Sequence, residues 1–394
     1  MIQHSFHGSM PQQSDGSGLL DRYETSLRRL GERDRLRGLK PASGLDFASN
    51  DYLGLANHPR LRAALSDALE GEIPVGAGGS RLLRGNDPHI EALEDAAAEF
   101  FGASSVLFFG GGFVANYALL TTLPQKGDLI LLDDLVHASC HDGARSARAE
   151  TVLVAHNDAG AVEKAVLDWR SQGGKGRPWI VVESLYSMDG DRAPLSDLVA
   201  VADRQDGFLI IDEAHATGVF GPEGRGLSAD FEGRDNVIIL HTCGKALGAS
   251  GAFVCLSQVL KDYLVNRCRP FIYATAPSPL MAVVVRESLN ILSDEPQRRE
   301  TLAHLINVLK EGLSDLDLPA SGSQIQPVIV GDAGRAVRLA NGLQERGFDI
   351  RAVRPPTVPE GTSRLRISLT LNVDEADVRA MISALRDEME RQST

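Results

Sequence analysis

The sequence predicts an α/β fold with a large, mostly parallel sheet domain and a smaller C-terminal α/β domain. Apolar, β-prone runs end at Glu183, at Asp212 and just before Lys245, and polar residues follow each run. Continuous apolar runs of this length are typical of interior parallel strands, which are buried on both faces. Because open parallel sheets bind ligands outside the carboxyl ends of their strands, these polar residues indicate one shared cleft.

Composition places this chain of 394 residues among ordinary globular proteins with a large core, since 43% of it is hydrophobic and 24% is charged. The formal net charge of −13, without a long basic run, disfavours nucleic acid or an anionic membrane surface as the main partner. The sequence shows no signal peptide and no apolar span of membrane length, and its four cysteines form no Cys-x-x-Cys pair. We therefore expect a cytoplasmic protein.

The N-terminal region is expected to form an arm and one helix. Residues Met1–Gly18 mix Gln, Ser, Gly and His without periodicity and should be poorly ordered. Across Leu19–Leu39, apolar residues recur at roughly helical spacing among many arginines, which predicts an amphipathic helix with Arg37 near its end. Another helix is predicted over Pro59–Glu70. In the glycine-rich loop that follows, Ser80 would limit the size of a pocket.

A glycine turn follows the predicted strand Ser105–Phe109 and leads into a predicted helix at Gly112. This arrangement presents free backbone N–H groups to a phosphate. It contains a literal Gly-x-Gly-x-x-Ala, and Asp133 and Asp134 end the next apolar run about twenty residues later, as in the loose dinucleotide fingerprint. A nicotinamide-dependent dehydrogenase is therefore one hypothesis.

Lys245 follows the last of the buried runs and stands among small residues within Thr242–Gly251. Glycines here allow the backbone to turn closely around a bound group, which would remove water from the lysine. A desolvated amine has a lowered pKa and is a nucleophile that can form a Schiff base. The alternative is an exposed lysine after a strand, because isolated motifs often match by chance.

The remaining clusters favour a pyridoxal phosphate enzyme. A dehydrogenase would give no role to Lys245, Asp212 and His215, whereas a pyridoxal phosphate enzyme uses all three. The lysine would bind the cofactor's aldehyde, and the helix start at Gly112 suits its phosphate. A buried carboxylate such as Asp212 keeps the pyridine nitrogen protonated by its charge. His137, in the turn before a predicted helix, is the candidate for a ring stacked on the pyridine.

Five motifs occur in a recognisable order: Ser49–Leu55, His137–Ser139, Ser187–Asp191, Asp212–His215 and Thr242–Lys245. Together they resemble the α-oxoamine synthase family of fold-type I pyridoxal phosphate enzymes, from about Arg37 to the C-terminal region. The resemblance implies pyridoxal 5'-phosphate as cofactor and a homodimer with its active site at the subunit interface. It also implies a large mixed sheet domain and a smaller C-terminal α/β domain. Cys243 and the loop Arg81–Leu83 depart from the usual pattern.

Carried over residue by residue, the resemblance implies that Lys245 is the cofactor-binding lysine and general base. Asp212 is implied to be the partner of the pyridine nitrogen, and His137 to stack on the ring. The expected catalytic residues are Lys245, His137, Asp212 and His215. Further cofactor contacts are implied at Gly112, Phe113, Ser187, His215, Thr242 and, towards the neighbouring subunit's phosphate, Thr275. Substrate contacts are expected at Arg37, Asn50, Ser80, His137, Thr357 and Arg366, and no metal ligand is expected.

Members of this family condense an amino acid with an acyl thioester and release carbon dioxide. Three features favour the member that joins L-alanine to a pimeloyl thioester in biotin biosynthesis. These are the segment Arg354–Pro359 followed by Arg364–Thr370, Ser80 where glycine-using 5-aminolevulinate synthases tend to carry threonine, and the absence of a long N-terminal extension. Glycine C-acetyltransferase, 5-aminolevulinate synthase and a non-catalytic scaffold are kept as alternatives. Coenzyme A and acyl carrier protein both stay open as the thiol carrier.

A long helix is predicted from Ser278 to Leu313 and marks a domain boundary. The expected division is an N-terminal arm and helix over 1–44, a large cofactor-binding domain over 45–285 and a C-terminal α/β domain over 286–394. The tail alternates strand and helix. On its last strand we expect Arg364 and Arg366 to point to opposite faces, with Arg366 in the pocket and Arg364 facing away.

Overall fold

The structure is a computed structural model that describes residues 18–314, 316 and 318–392. Residues 1–17, most of the segment expected to be poorly ordered, lie outside the described residues. The strands are β1 (Leu45–Asp46), β2 (Ser105–Phe109), β3 (Leu129–Asp133), β4 (Glu150–Val154), β5 (Pro178–Glu183), β6 (Phe208–Asp212), β7 (Val237–Thr242), β8 (Ala252–Leu256), β9 (Ile325–Gly331), β10 (Phe348–Asp349), β11 (Arg351–Val353) and β12 (Ser363–Ser368). The helices are α1 (Asp21–Glu32), α2 (Pro59–Glu70), α3 (Pro88–Phe101), α4 (Gly112–Thr122), α5 (Ala138–Ser146), α6 (Ala159–Ser171), α7 (Leu195–Arg204), α8 (Gln258–Arg267), α9 (Arg269–Ile272), α10 (Pro279–Asp294), α11 (Gln297–Ser314), α12 (Ala333–Glu345) and α13 (Glu375–Arg391).

The large sheet has seven strands in the order β2-β8-β7-β6-β5-β3-β4. Within this sheet β8 runs opposite to the other six strands, since it pairs antiparallel with both β2 and β7, and the pairs among β3 to β7 are parallel. Successive side chains of a strand point to opposite faces. Leu129 and Leu131 of β3 accordingly lie in one apolar core, and Ile130 and Leu132 lie in another. The sheet is therefore covered on both faces, as the apolar runs predict.

The C-terminal region forms a three-stranded antiparallel sheet in the order β11-β12-β9, on which α12 packs. Strand β1 pairs in parallel with β10, and the Ser368 N–H donates to the Phe47 carbonyl oxygen, so residues 45–47 add to this part of the molecule. Helix α10 packs on α2 and α3 and runs across the predicted boundary between residues 285 and 286. The exact domain division stays a prediction.

Two helix predictions were wrong in length. The predicted helix over Leu19–Leu39 ends at Glu32, so Arg37 lies beyond α1. The long helix predicted from Ser278 is two helices, with a break at Glu295, which has φ −120° and ψ 58°. A proline disfavours the helical conformation of the residue before it, and Pro296 follows here. Among the described helices, none combines the length and apolarity needed to cross a membrane.

Candidate active site

A cavity of about 340 Å³ lies at the carboxyl ends of β5, β6 and β7. Eight of the residues predicted for the site line it: Asn50, Gly112, Phe113, His137, Asp212, His215, Thr242 and Lys245. They come from segments far apart in the chain, and the parallel sheet brings them together because its strand ends share one edge.

Lys245 occupies the turn between β7 and β8, and two glycines make this turn possible. Gly248 has φ +63°, and a Cβ there would lie 2.4 Å from the backbone carbon of Leu55. Gly251 has φ +125°, and its Cβ would lie 2.3 Å from the Phe108 ring. Desolvation lowers the pKa of the Lys245 amine to about 8, although the charges of nearby carboxylates oppose the shift. About a tenth of this amine is therefore unprotonated at pH 7, far more than for an ordinary lysine.

Asp212 is 5% exposed and is held as an acceptor by two N–H groups. Its Oδ2 accepts from Asn116 Nδ2 at 2.7 Å, and its Oδ1 accepts from the Ala214 N–H at 2.9 Å. Donors of this kind favour the ionised form of a carboxyl group. The role of Asn116 was missed by the sequence analysis, although the residue stands one helical turn after Gly112, on the helix that starts at the cavity.

His137 caps the N-terminus of α5, where its Nδ1 accepts from the Ser139 N–H at 3.2 Å. Because Nδ1 is an acceptor there, the ring proton of the neutral imidazole is assigned to Nε2. Desolvation lowers the pKa of His137, so the neutral form is favoured. The Phe113 ring meets the imidazole edge-on, with the ring centroids 6.3 Å apart.

His215 is buried, and its Nδ1 lies 2.6 Å from the hydroxyl of Tyr52. Burial lowers its pKa well below the ordinary value of a histidine, and the charge of Lys245 acts in the same direction. Tyr52 also donates to Asn50 Oδ1 at 3.0 Å. The neutral His215 ring is therefore held in place by Tyr52, a residue from the N-terminal part of the chain.

Arg366 is 8% exposed and lies behind Asn50, outside the cavity lining. Its guanidinium donates to the Ser187 carbonyl oxygen at 2.6 Å and to Asn50 Oδ1 at 3.0 Å. Arg364 is also buried, and it donates to the Asp189 carboxylate at 2.5 Å. The prediction that Arg364 faces away was wrong, because side chains two residues apart on a strand share one face.

The other predicted contacts do not line the cavity. Arg37 donates to the Thr357 hydroxyl at 2.9 Å, and both side chains are exposed. Ser80 is partly buried in its loop, and Thr275 is exposed. Ser187 is buried beside the cavity, where its backbone N–H and carbonyl are both hydrogen-bonded.

Glu183 was not predicted for the site, although it lines the cavity and is 2% exposed. It ends β5 directly beside Asp212 in the register of the sheet. Burial raises its pKa to about 8, and the charge of Asp212 adds to the rise. The signal for Glu183 was its place at the end of a buried strand, which is the same signal that identified Asp212.

The cavity fits pyridoxal phosphate. It offers the desolvated amine of Lys245, the Asp212 carboxylate with its two donors, the His137 imidazole and the N-terminus of α4. Gly112 brings that helix end close to β7, since a Cβ at this position would lie 2.6 Å from Thr242 Cγ2. Lys245, Asp212, His137 and Gly112 are therefore the residues that would hold the cofactor.

A separate polar cluster, formed by Glu232, His241 and Cys255, lies outside the cavity, with its ligand atoms within 4.8 Å of one another. Both ring nitrogens of His241 already have partners, Thr217 Oγ1 at 2.8 Å and Glu232 Oε1 at 3.0 Å. The ring stacks on Phe101, with the centroids 3.7 Å apart. Burial raises the pKa of the Cys255 thiol well above its ordinary value. This cluster is a satisfied polar network of the core.

The chain belongs to the family of class I and II aminotransferases, whose model matches residues 42–385. It is 41% identical over 379 residues to 8-amino-7-oxononanoate synthase of Chromobacterium violaceum, which covers 94% of this chain and 97% of that protein.

Two solved structures share this fold. A serine palmitoyltransferase of S. paucimobilis with bound PLP gives a TM-score of 0.86 at 26% identity and covers 95% of this chain and 99% of that one. An 8-amino-7-oxononanoate synthase from Francisella tularensis gives 0.76 at 27% identity, over 89% and 99% of the two chains. The predicted family and the fold-type I architecture are confirmed.

Proposed function

We propose that the chain is a pyridoxal-phosphate-dependent acyltransferase that condenses L-alanine with a pimeloyl thioester. The products are 8-amino-7-oxononanoate, carbon dioxide and the free thiol carrier, as in biotin biosynthesis. One observation carries this proposal: the desolvated Lys245 amine and the ionised Asp212 share one cavity in a chain that is 41% identical to an 8-amino-7-oxononanoate synthase.

Bound pyridoxal phosphate supplies an aldehyde for the amine and a pyridinium ring that accepts electron density. Asp212 favours the protonated pyridine nitrogen through its charge. Gly112 at the start of α4, together with Thr242, binds the phosphate, because the N–H groups of a helix N-terminus attract anions. His137 and the neutral His215, which both line the cavity, would hold the cofactor's ring.

Lys245 acts as the general base that removes the Cα proton of alanine, since its pKa of about 8 lets it both accept and release a proton. Arg366 holds the alanine carboxylate from behind Asn50, with which it already shares a hydrogen bond. A planar guanidinium fixes the orientation of a carboxylate as well as its position. Neutral His137, with its proton on Nε2, donates to the carbonyl oxygen of the thioester.

Two copies of the chain form the active unit in this proposal, with Thr275 contacting the phosphate bound by the partner copy. Exposed apolar side chains support such an assembly: Phe113, which lines the cavity, is 50% exposed, Tyr273 is 72% exposed and Leu83 is 81% exposed. All four cysteines are free and buried, which suits a reducing compartment, and we place the enzyme in the cytoplasm.

A substrate panel tests the reaction. Purified enzyme is incubated with L-alanine or glycine and with pimeloyl, acetyl or succinyl thioesters, each carried on coenzyme A or on acyl carrier protein. We expect alanine with pimeloyl thioester to give the highest kcat/KM and to release carbon dioxide. Equal or better turnover of glycine with acetyl thioester would assign the chain to the glycine C-acetyltransferases instead.

A further inference from the structure

Two carboxyl groups lie side by side at the bottom of the cavity. Glu183 and Asp212 are register partners on β5 and β6, they are 2% and 5% exposed, and both line the cavity. Two adjacent carboxyl groups that are shielded from water do not both ionise, because like charges repel strongly at low dielectric. One of them therefore carries a proton.

The hydrogen bonds identify which one. Asp212 accepts from N–H donors at both oxygens, so it carries the charge. Glu183 accepts at Oε2 from the Ser187 N–H at 2.9 Å. Its Oε1 is buried and makes no hydrogen bond of normal geometry with the described residues, although the His137 N–H lies near enough to Glu183 to favour its ionised form weakly. An ionised oxygen without a donor is costly in a buried site, whereas a protonated one needs only an acceptor.

The other groups that face Glu183 agree with this assignment. Burial and the charge of Asp212 raise the pKa of Glu183 to about 8, against the opposing effects of Lys245, in the turn after β7, and of the Ser187 and His137 N–H groups. Glu183 in turn raises the pKa values of Tyr186 and Cys140, both of which are buried beside it. These two neighbours are themselves neutral near pH 7, so they offer Glu183 no charge that would ionise it.

We propose that Glu183 acts as a neutral carboxylic acid and donates its Oε1–H to an anionic oxygen of the ligand in the cavity. In the proposed function, on which the identity of the ligand rests, that oxygen belongs either to the cofactor ring or to the alanine carboxylate. An ionised Glu183 would repel either oxygen. The protonated form attracts both and leaves Asp212 as the single negative charge of the two.

The first test needs no cofactor and therefore stands apart from the proposed function. A carboxyl group with a raised pKa in the folded state costs stability as pH rises from its unfolded value to its folded value, here about 8. We compare the unfolding equilibrium of the full-length chain with that of Glu183→Gln between pH 5 and 9. The folding equilibrium constant of the variant, divided by that of wild type, should increase by up to about tenfold per pH unit and then level off.

Glu94→Gln is the matched control, because Glu94 is equally buried but pairs with Arg81 at 2.7 Å. Its stability relative to wild type should not increase over this pH range. A flat pH dependence for Glu183→Gln would overturn the proposal, since it would mean that Glu183 is ionised in the folded chain.

The second test asks what receives the hydrogen bond. Glutamine retains an N–H donor at this position, and leucine does not. We expect Glu183→Gln to bind alanine nearly as wild type does at pH 7, and Glu183→Leu to lose about tenfold or more. If instead the leucine variant shifts the pH midpoint of the cofactor's absorbance without alanine, the acceptor is the cofactor oxygen. Unchanged binding and absorbance in Glu183→Leu would show that no hydrogen bond is donated, and the proposal would fail.

Discussion

The floor of the cavity and its rim differ in how the chain holds them. The floor comprises Glu183, Asp212, His215 and Lys245, which lie at or just beyond the ends of β5, β6 and β7. The second group, which we call the rim, comprises four residues that were predicted to contact substrate or phosphate and that lie on loops outside the cavity lining: Arg37, Ser80, Thr275 and Thr357. A parallel sheet places its strand ends without help from any ligand, whereas loop residues on the surface are positioned by whatever binds them.

Hydrogen bonding shows the same difference. On the floor, Asp212 has donors at both oxygens and the His215 ring is held by Tyr52. At the rim, the exposed side chains of Arg37 and Thr357 are joined by one hydrogen bond of 2.9 Å. Substitutions on the floor should therefore reduce catalytic activity, and those at the rim should change the preference among substrates.

The largest effect is expected for Lys245→Ala. In the proposed function this variant lacks both the amine that binds the cofactor and the general base, and loss of a positioned base alone costs about 100- to 10,000-fold. The purified variant should also lose the yellow absorbance of bound cofactor. The exposed Lys126→Ala is the control and should keep colour and activity. A yellow, active Lys245→Ala enzyme would exclude Lys245 from the floor's chemistry.

Cofactor uptake by the wild-type chain should depend on pH through the same amine. The lowered pKa of Lys245, about 8, means that the unprotonated amine falls about tenfold per pH unit below that value. The rate at which the cofactor-free chain gains absorbance should rise with pH and level off above about 8. A rate that stays constant between pH 6 and 9 would contradict this assignment.

Asp212→Asn should keep the fold and lose activity by about a thousandfold, since removing one electrostatic partner of the reacting group typically costs this much. An amide cannot hold the pyridinium proton by charge. Asp134→Asn is the matched control, because Asp134 follows β3 of the same sheet but is exposed outside the cavity. Steady-state kcat with alanine and pimeloyl thioester measures both variants, and near-normal turnover by Asp212→Asn would refute the role.

The two buried arginines of β12 are expected to differ in role, Arg366 in substrate binding and Arg364 in stability. Arg366→Ala should lose about 2 kcal/mol or more of transition-state stabilisation, roughly 30-fold in kcat/KM, if it holds the alanine carboxylate. Arg364→Ala breaks the ion pair with Asp189 and should lower the free energy of unfolding by about 1–3 kcal/mol. Urea unfolding and kinetics distinguish the two. An unchanged apparent affinity for alanine in Arg366→Ala would place the carboxylate elsewhere.

The sequence predicted that three of the four floor residues, Asp212, His215 and Lys245, share one cavity, because strand ends follow directly from apolar runs. Asp212 ends β6 where the run ends, and α2 has the predicted bounds Pro59–Glu70. The order of the strands was not accessible in this way. Glu183 could be seen to end a strand, but its place beside Asp212 depends on β5 pairing with β6, which no local pattern specifies.

Three predictions were wrong or incomplete: the length of the helix from Ser278, the direction of Arg364 and the place of Arg37. The break at Glu295 could have been anticipated from Pro296, but the apolar periodicity on both sides outweighed it in the prediction. The direction of Arg364 was misjudged from its spacing to Arg366, although residues two apart share a face of a strand. For Arg37, a helix that ends at Glu32 left the residue in an extended segment, where its contact with Thr357 depends on tertiary structure.

The smallest effect is expected at the rim. Arg37→Ala removes an exposed cation that could bind the distal carboxylate of a pimeloyl chain, and an exposed charge pair contributes only about 0.2–1 kcal/mol. We therefore expect a change of less than about tenfold in KM for the thioester and little change in kcat.

The decisive readout is the preference for pimeloyl over heptanoyl thioester, which lacks that carboxylate. This preference should decrease in Arg37→Ala and stay constant in Arg35→Ala, because Arg35 belongs to the same segment but pairs with Glu360. A Thr357→Ala variant with the same loss, and no further loss in the double variant, would show that the two rim residues act as one unit. Equal preference in wild type and Arg37→Ala would instead separate the rim from acyl recognition and leave selection of the chain to residues inside the cavity.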